Sequence, residues 1–177
     1  MVVWLVGMSG SGKTTVGRLV YNAYKKIHPN TVFVDGDEIR ALFKHDDLKK
    51  DYSVEQRRRN AERIYEICLW LDRQGINVVC CILCIFPAIL GQNKSAFSRY
   101  REIYLKANLP ELISRDTKGV YIGSDDDRPS NVVGMDIPFP EPVKPDLILN
   151  TTDNSGSPEE LAAQAIAIFE TPWQFFE

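Results

Sequence analysis

Two histidines and four cysteines are all the imidazole and thiol groups that this 177-residue chain offers, and their spacing does not suit a metal. His28 and His45 are isolated, and both read as surface or packing residues. Cys81-Ile82-Leu83-Cys84 has the C-x-x-C form, but there is no second pair and no histidine nearby. It lies inside the apolar run 78–86, so Cys68, Cys80, Cys81 and Cys84 read as small packing groups rather than a zinc site. Positive charge is not in excess either: 21 Lys and Arg face 24 Asp and Glu, a net charge of −3. That excludes the basic footprint of a nucleic-acid polymer partner, while a small anionic ligand needs only a local basic cluster. No stretch reaches the 18 or so consecutive apolar residues of a membrane span. The opening Met1-Val2-Val3-Trp4 has no basic segment and enters an apolar run at once, so no secretory signal and a cytoplasmic location are expected. The length suits one domain, residues 1–177, with one core.

What the chain does have is a phosphate-binding loop. Residues Gly7 to Thr14 read Gly-Met-Ser-Gly-Ser-Gly-Lys-Thr and match G-x-x-x-x-G-K-[ST] at every fixed position. The loop follows the strand-like run Val2–Val6 and precedes a helical pattern from Lys13 to about Ile27. Glycines there let backbone N–H groups converge on phosphate oxygens, and the helix N-terminus adds partial positive charge. Gly7, Ser9, Gly10, Ser11, Gly12, Lys13, Thr14 and Thr15 are thus the candidates for binding a nucleoside triphosphate. Lys13 would reach the terminal phosphates and Thr14 would hold Mg²⁺.

The remaining elements alternate between strand and helix, which predicts an α/β fold of the P-loop NTPase type, three layers with a mainly parallel central sheet. Thr31–Val34 and Ile76–Ile85 are expected strands, as are Tyr100–Leu105 and Leu147–Leu149. Ser53-Val54-Glu55-Gln56 has the form of a capping box and predicts a long helix running to Gln74, stopped by Gly75. A short helix is expected from Leu109 to about Arg115, and an amphipathic one over Pro158–Glu170, with the tail Trp173–Phe176 packed on the body. Residues 118–145 are rich in Gly, Pro and Asp and read as a lid-like loop.

Ligands of parallel sheets gather at the carboxyl ends of the strands. The second strand ends in Asp35-Gly36-Asp37-Glu38-Ile39-Arg40, which places two carboxylates and an arginine where the phosphates would lie. Such a carboxylate holds a metal-bound water or accepts the proton of an attacking hydroxyl. Taken alone, the segment also reads as a turn with solvated charges. Arg57 and Asn60 stand three apart near the positive end of the long helix and share a face suited to an anionic substrate.

Together these motifs resemble the adenylylsulfate kinase family. The resemblance runs from Met1 to about Thr152. It rests on Gly7–Thr14, Asp35–Arg40, Tyr52–Arg57–Asn60, Arg115-Asp116-x-Lys118-Gly119-x-Tyr121, and Gly134-x-Asp136 followed by Pro138-Phe139. It implies an ATP- and Mg²⁺-dependent kinase that moves the γ-phosphate to the 3′-hydroxyl of adenosine 5′-phosphosulfate or a closely related nucleotide, in sulfate assimilation. Asp37, Arg40, Arg57 and Asn60 would hold the sulfonucleotide, Tyr52 would stack on its base, and Arg115 would lie near the ATP adenine. Lys13, Asp35 and Asp37 would be catalytic. Thr14 and Asp35 would serve the metal, with the division between Asp35 and Asp37 left open. A homodimer is also implied.

The chain departs from the family pattern on the acceptor side. Where the family reads I-S-P-Y-R, this chain reads Leu83-Cys84-Ile85-Phe86-Pro87. Where it has a basic K-K-A-R stretch, this chain has Ile122-Gly123-Ser124-Asp125, followed by Asp126-Asp127-Arg128. Val132 stands where the family places a phenylalanine against the substrate base. None of these changes touches the ATP side. A different nucleotide acceptor, such as cytidine diphosphoramidate in capsule modification, is therefore a second expectation, and a non-catalytic nucleotide-binding module a third.

Overall fold

The computed structural model describes residues 1–43, 53–117, 119–122, 130–152 and 155–169. Among these, β1 (Val2–Val6), β2 (Thr31–Asp35), β3 (Asn77–Ile82), β4 (Tyr100–Lys106) and β5 (Leu147–Asn150) form one sheet in the order β2-β3-β1-β4-β5. Every neighbouring pair is parallel. The helices are α1 (Lys13–Ile27), α2 (Gly36–Leu42), α3 (Val54–Arg73), α4 (Pro87–Ala96), α5 (Leu109–Ser114) and α6 (Pro158–Ala167).

Alternation along the fully buried β1 feeds two cores. Val2, Trp4 and Val6 point to one face, where Ile64 and Cys68 of α3 and Ile89 and Leu90 of α4 cover them. Val3 and Leu5 point to the other, under Val16 and Val20 of α1 and Leu161, Ala162 and Ala165 of α6. The sheet thus lies between two helical layers, as the alternating pattern predicts. Because α1 and α4 lie on opposite faces, the loops leaving β1 and β3 diverge and open a crevice at the carboxyl edge of the sheet.

The long helix starts as expected: the Ser53 hydroxyl accepts from the Gln56 N–H at 3.3 Å. The third strand is shorter than expected and ends at Ile82. Its neighbours run out there, with Val6 opposite Ile82 and Asp35 opposite Cys81, so Leu83–Phe86 have no strand to bond. Two helices, α2 and α4, are absent from the sequence-based expectations. The seven-residue α2 opens with Asp-Gly, which reads as a turn. In α4, Gly91 sits mid-helix and the N-cap is Phe86, so neither composition nor cap announces it.

All four cysteines are buried and unbridged. Among the described residues no group of three or more His, Cys, Asp or Glu could hold a metal, and no helix is long and apolar enough to cross a membrane. His45, Tyr52, Lys118, the acidic stretch 123–129 and the tail 173–176 lie outside the described residues.

Candidate active site

The crevice is lined first by the loop between β1 and α1. Gly10 and Gly12 adopt φ of 75° and 86°, left-handed backbone that other residues rarely take. Gly12 is the N-cap of α1, which has no side-chain cap and no acidic residue in its first turn. The glycine cap leaves the start of that helix open to an outside acceptor, a cradle suited to an anion. The Lys13 ammonium spans the loop and donates to the Met8 carbonyl at 2.6 Å. The Ser11 hydroxyl is buried without a partner among the described residues.

Gly7 is required for a different reason, since a Cβ there would lie 2.7 Å from the Leu105 carbonyl oxygen and 2.5 Å from Ser11 Oγ. The first of these is backbone and cannot swing away. Gly7→Ala should therefore displace the loop, weakening Mg-AMPPNP binding by about ten-fold or more, as expected for ~1–3 kcal/mol of overpacking. Calorimetric titration checks this, and unchanged affinity would show that the loop tolerates the methyl group.

The second wall is built on β2 and α2. Asp35 is the last residue of β2 and the N-cap of α2. Its Oδ1 accepts from the Asp37 N–H at 2.9 Å, and its Oδ2 accepts from the Thr14 hydroxyl at 2.8 Å. One buried carboxylate thus ties the phosphate loop to the first turn of α2. Asp37 is exposed in that turn and Arg40 is half-buried one turn later. An Arg18–Glu38 ion pair also joins α1 to α2.

The third wall is the start of α3. The buried Asn60 donates from Nδ2 to the Gly36 carbonyl at 3.2 Å, and its Oδ1 has no partner among the described residues. One turn earlier, Arg57 donates to the Asn131 carbonyl at 2.9 Å. Asn131 takes φ 63°, and Val132 beside it is buried with Leu112 and Tyr121. Arg115, the C-cap of α5, donates to the Thr151 carbonyl. Of the residues singled out in the sequence, Thr14 and Asp37 both donate to Asp35, and Asn60 donates to the adjoining Gly36 carbonyl.

Three further contacts carry no sequence signal, because each ends on a backbone carbonyl: Arg57 to Asn131, Arg115 to Thr151, and Tyr121, itself a residue of the 115–121 motif, whose hydroxyl donates to the Ser9 carbonyl at 3.0 Å. The departures at 83–87 have a packing role: the Arg58 guanidinium lies 4.5 Å from the centre of the Phe86 ring. Burial pushes the Cys84 thiol up to about 11, so it is a poor nucleophile near neutral pH.

Residues 1–150 match the family model for adenylylsulphate kinase. The chain belongs to the adenylylsulphate kinase family. Cytidine diphosphoramidate kinase from Campylobacter jejuni is 32% identical over 160 residues, covering 90% of this chain and 91% of that protein. An adenylyl-sulfate kinase from Geotalea uraniireducens is 32% identical over 165 residues, covering 92% of this chain and 77% of its own length. The solved structure of the Mycobacterium tuberculosis APS kinase CysC in complex with AMPPNP and APS superposes with a TM-score of 0.81 at 25% identity, covering 96% of this chain and 97% of that one. In this adenylylsulphate kinase family member, all three walls of the crevice fall inside the matched span, and Thr151 lies one residue beyond it.

Proposed function

We propose that the chain is an ATP-dependent kinase that transfers the γ-phosphate to the 3′-hydroxyl of adenosine 5′-phosphosulfate or a closely related nucleotide. The observation that carries this reading is the Thr14–Asp35 hydrogen bond of 2.8 Å. It joins a phosphate cradle to a wall of acidic, basic and amide groups, the two halves that a transfer between nucleotides requires. Catalysis of this kind is mostly positioning and charge stabilisation. Lys13 and the loop N–H groups bind the phosphates of ATP. Arg57, Asn60 and Arg40 hold the acceptor.

Thr14 and Asp35 present a hydroxyl and a carboxylate side by side, and such an all-oxygen pair fits Mg²⁺, which takes one or two protein oxygens beside substrate phosphates. Those two residues would hold the ion, which when bound neutralises phosphate charge. Both oxygens of Asp35 also serve as acceptors, so the same carboxylate orients Thr14 and the turn of α2. Asp37, exposed in that turn, is the group for the acceptor hydroxyl. The route is direct transfer, with no covalent enzyme intermediate.

A second acceptor, cytidine diphosphoramidate, is favoured by the Campylobacter jejuni relative and by the buried Val132 on the acceptor side. ADP release from Mg-ATP separates the two when measured with adenosine 5′-phosphosulfate, cytidine diphosphoramidate, simple adenine and cytosine nucleotides, and no acceptor. Turnover with one sulfonucleotide or phosphoramidate names the acceptor. Silence throughout, with ATP still bound, would leave a nucleotide-binding module. In the same assay Arg57→Ala should raise the acceptor KM by about 10- to 100-fold, the loss of a charge-assisted hydrogen bond, and shift the ATP KM far less. Equal effects on both would remove Arg57 from the acceptor wall.

A further inference from the structure

Tyr121 is fixed at both ends. Its backbone N–H donates to Asp116 Oδ2 at 2.5 Å, and the N–H of Ile122 donates to the same oxygen at 3.2 Å. One carboxylate thus folds the turn that presents the tyrosine. The ring is 5% exposed and packs with Ala107, Leu112 and Val132, next to Met8 of the phosphate loop. The hydroxyl reaches across 112 residues to donate to the Ser9 carbonyl at 3.0 Å. Burial, with the Asp116 charge nearby, pushes the phenol up to about 12, so it keeps the proton it donates.

The consequence follows from peptide geometry. The peptide between Ser9 and Gly10 is trans, so its C=O and N–H point in opposite directions. A donor holding the Ser9 oxygen on the Tyr121 side turns the Gly10 N–H the other way. Gly10, at φ 75°, belongs to the turn in which successive N–H groups form an anion-binding concavity. A cradle works only if its donors are aimed before the charge arrives.

We propose that Tyr121 is a positioning residue for phosphate binding, holding the Ser9 carbonyl so that the Gly10 N–H is directed into the cradle. This rests on the reading of the loop as the ATP site. The contact places Tyr121, a residue outside the loop itself, in control of the loop's backbone.

Tyr121→Phe keeps the ring and its packing and deletes only the donor. Calorimetry of the full chain with Mg-AMPPNP should show about ten-fold weaker binding, the worth of one buried hydrogen bond. The ATP KM should rise in parallel, the acceptor KM should stay within about two-fold, and the melting temperature should fall by no more than about 4 °C. Asp116→Ala releases the turn that carries Tyr121 and should weaken AMPPNP in the same direction. The double variant should be no weaker than the worse single one, because both act through one contact.

AMPPNP affinity unchanged by Tyr121→Phe would overturn the proposal. So would additive effects in the double variant, or a loss in which both KM values and the melting temperature move together. Wild-type chain that binds no AMPPNP would overturn the ATP site itself, and the proposal with it. Normal wild-type binding lost in Lys13→Ala but retained in Tyr121→Phe would overturn the proposal alone.

Discussion

Lys13→Ala should abolish turnover with every acceptor, a fall of at least ~10³-fold in kcat/KM, while the chain stays folded. Lys13 is the first residue of α1, and its ammonium donates across the loop to the Met8 carbonyl. Alanine suits that helical position, so the helix itself is kept and the fold loses only the contacts of one half-buried ammonium, the Met8 hydrogen bond among them. The reaction loses far more. The cradle's N–H groups are partial charges fixed in the backbone, and α1 has no other cation in its first turn. The ammonium is the group able to leave Met8 and follow charge onto the terminal phosphate as it develops. ADP release with each acceptor, beside a thermal melt, tests this. Activity near wild type would mean that the Gly7–Thr14 loop is not where ATP is used. Loss of both activity and the cooperative melt would point to Lys13 acting on stability instead.

The phosphate loop was legible in the sequence because its chemistry is local: eight consecutive residues specify the turn, the helix start and the lysine. The start of α3 was legible for the same reason, since a serine hydroxyl and an N–H three residues on form the cap. Asp35 was visible as a carboxylate at a strand end, but not its bond to Thr14, which needs β1 and β2 brought to the same edge of the sheet. The contacts from Arg57 to Asn131 and from Tyr121 to Ser9 span 74 and 112 residues and end on carbonyl oxygens. Every residue carries a carbonyl, so no residue type advertises such an acceptor. The helix α2 was hidden because seven residues are too few to show a period. What made the wall on β2 and α2 readable was composition at a known strand end, and what left it incomplete was tertiary pairing through backbone.

Asp35→Asn should lower kcat/KM by about 10²- to 10³-fold while leaving the melting temperature nearly unchanged, which separates the charge of Asp35 from its role in the fold. Asparagine is as good an N-cap as aspartate, so its Oδ1 would still accept the Asp37 N–H that opens α2. Its Nδ2 would stand where Oδ2 now accepts the Thr14 hydroxyl, and an amide can donate to that oxygen as readily as the carboxylate accepts from it. Shape and hydrogen bonding survive, and the negative charge beside Thr14 does not. If Thr14 and Asp35 together hold Mg²⁺, the half-saturating Mg²⁺ concentration should rise about ten-fold in the variant, because a hard cation loses its anionic oxygen. Asp35→Ala adds the loss of the cap and should cost about 1 kcal/mol of stability besides. A titration of activity against Mg²⁺ at saturating ATP distinguishes the cases. An unchanged Mg²⁺ requirement with reduced kcat would move Asp35 from the metal to the acceptor hydroxyl. Full activity in Asp35→Asn would leave it as the cap of α2 and nothing more.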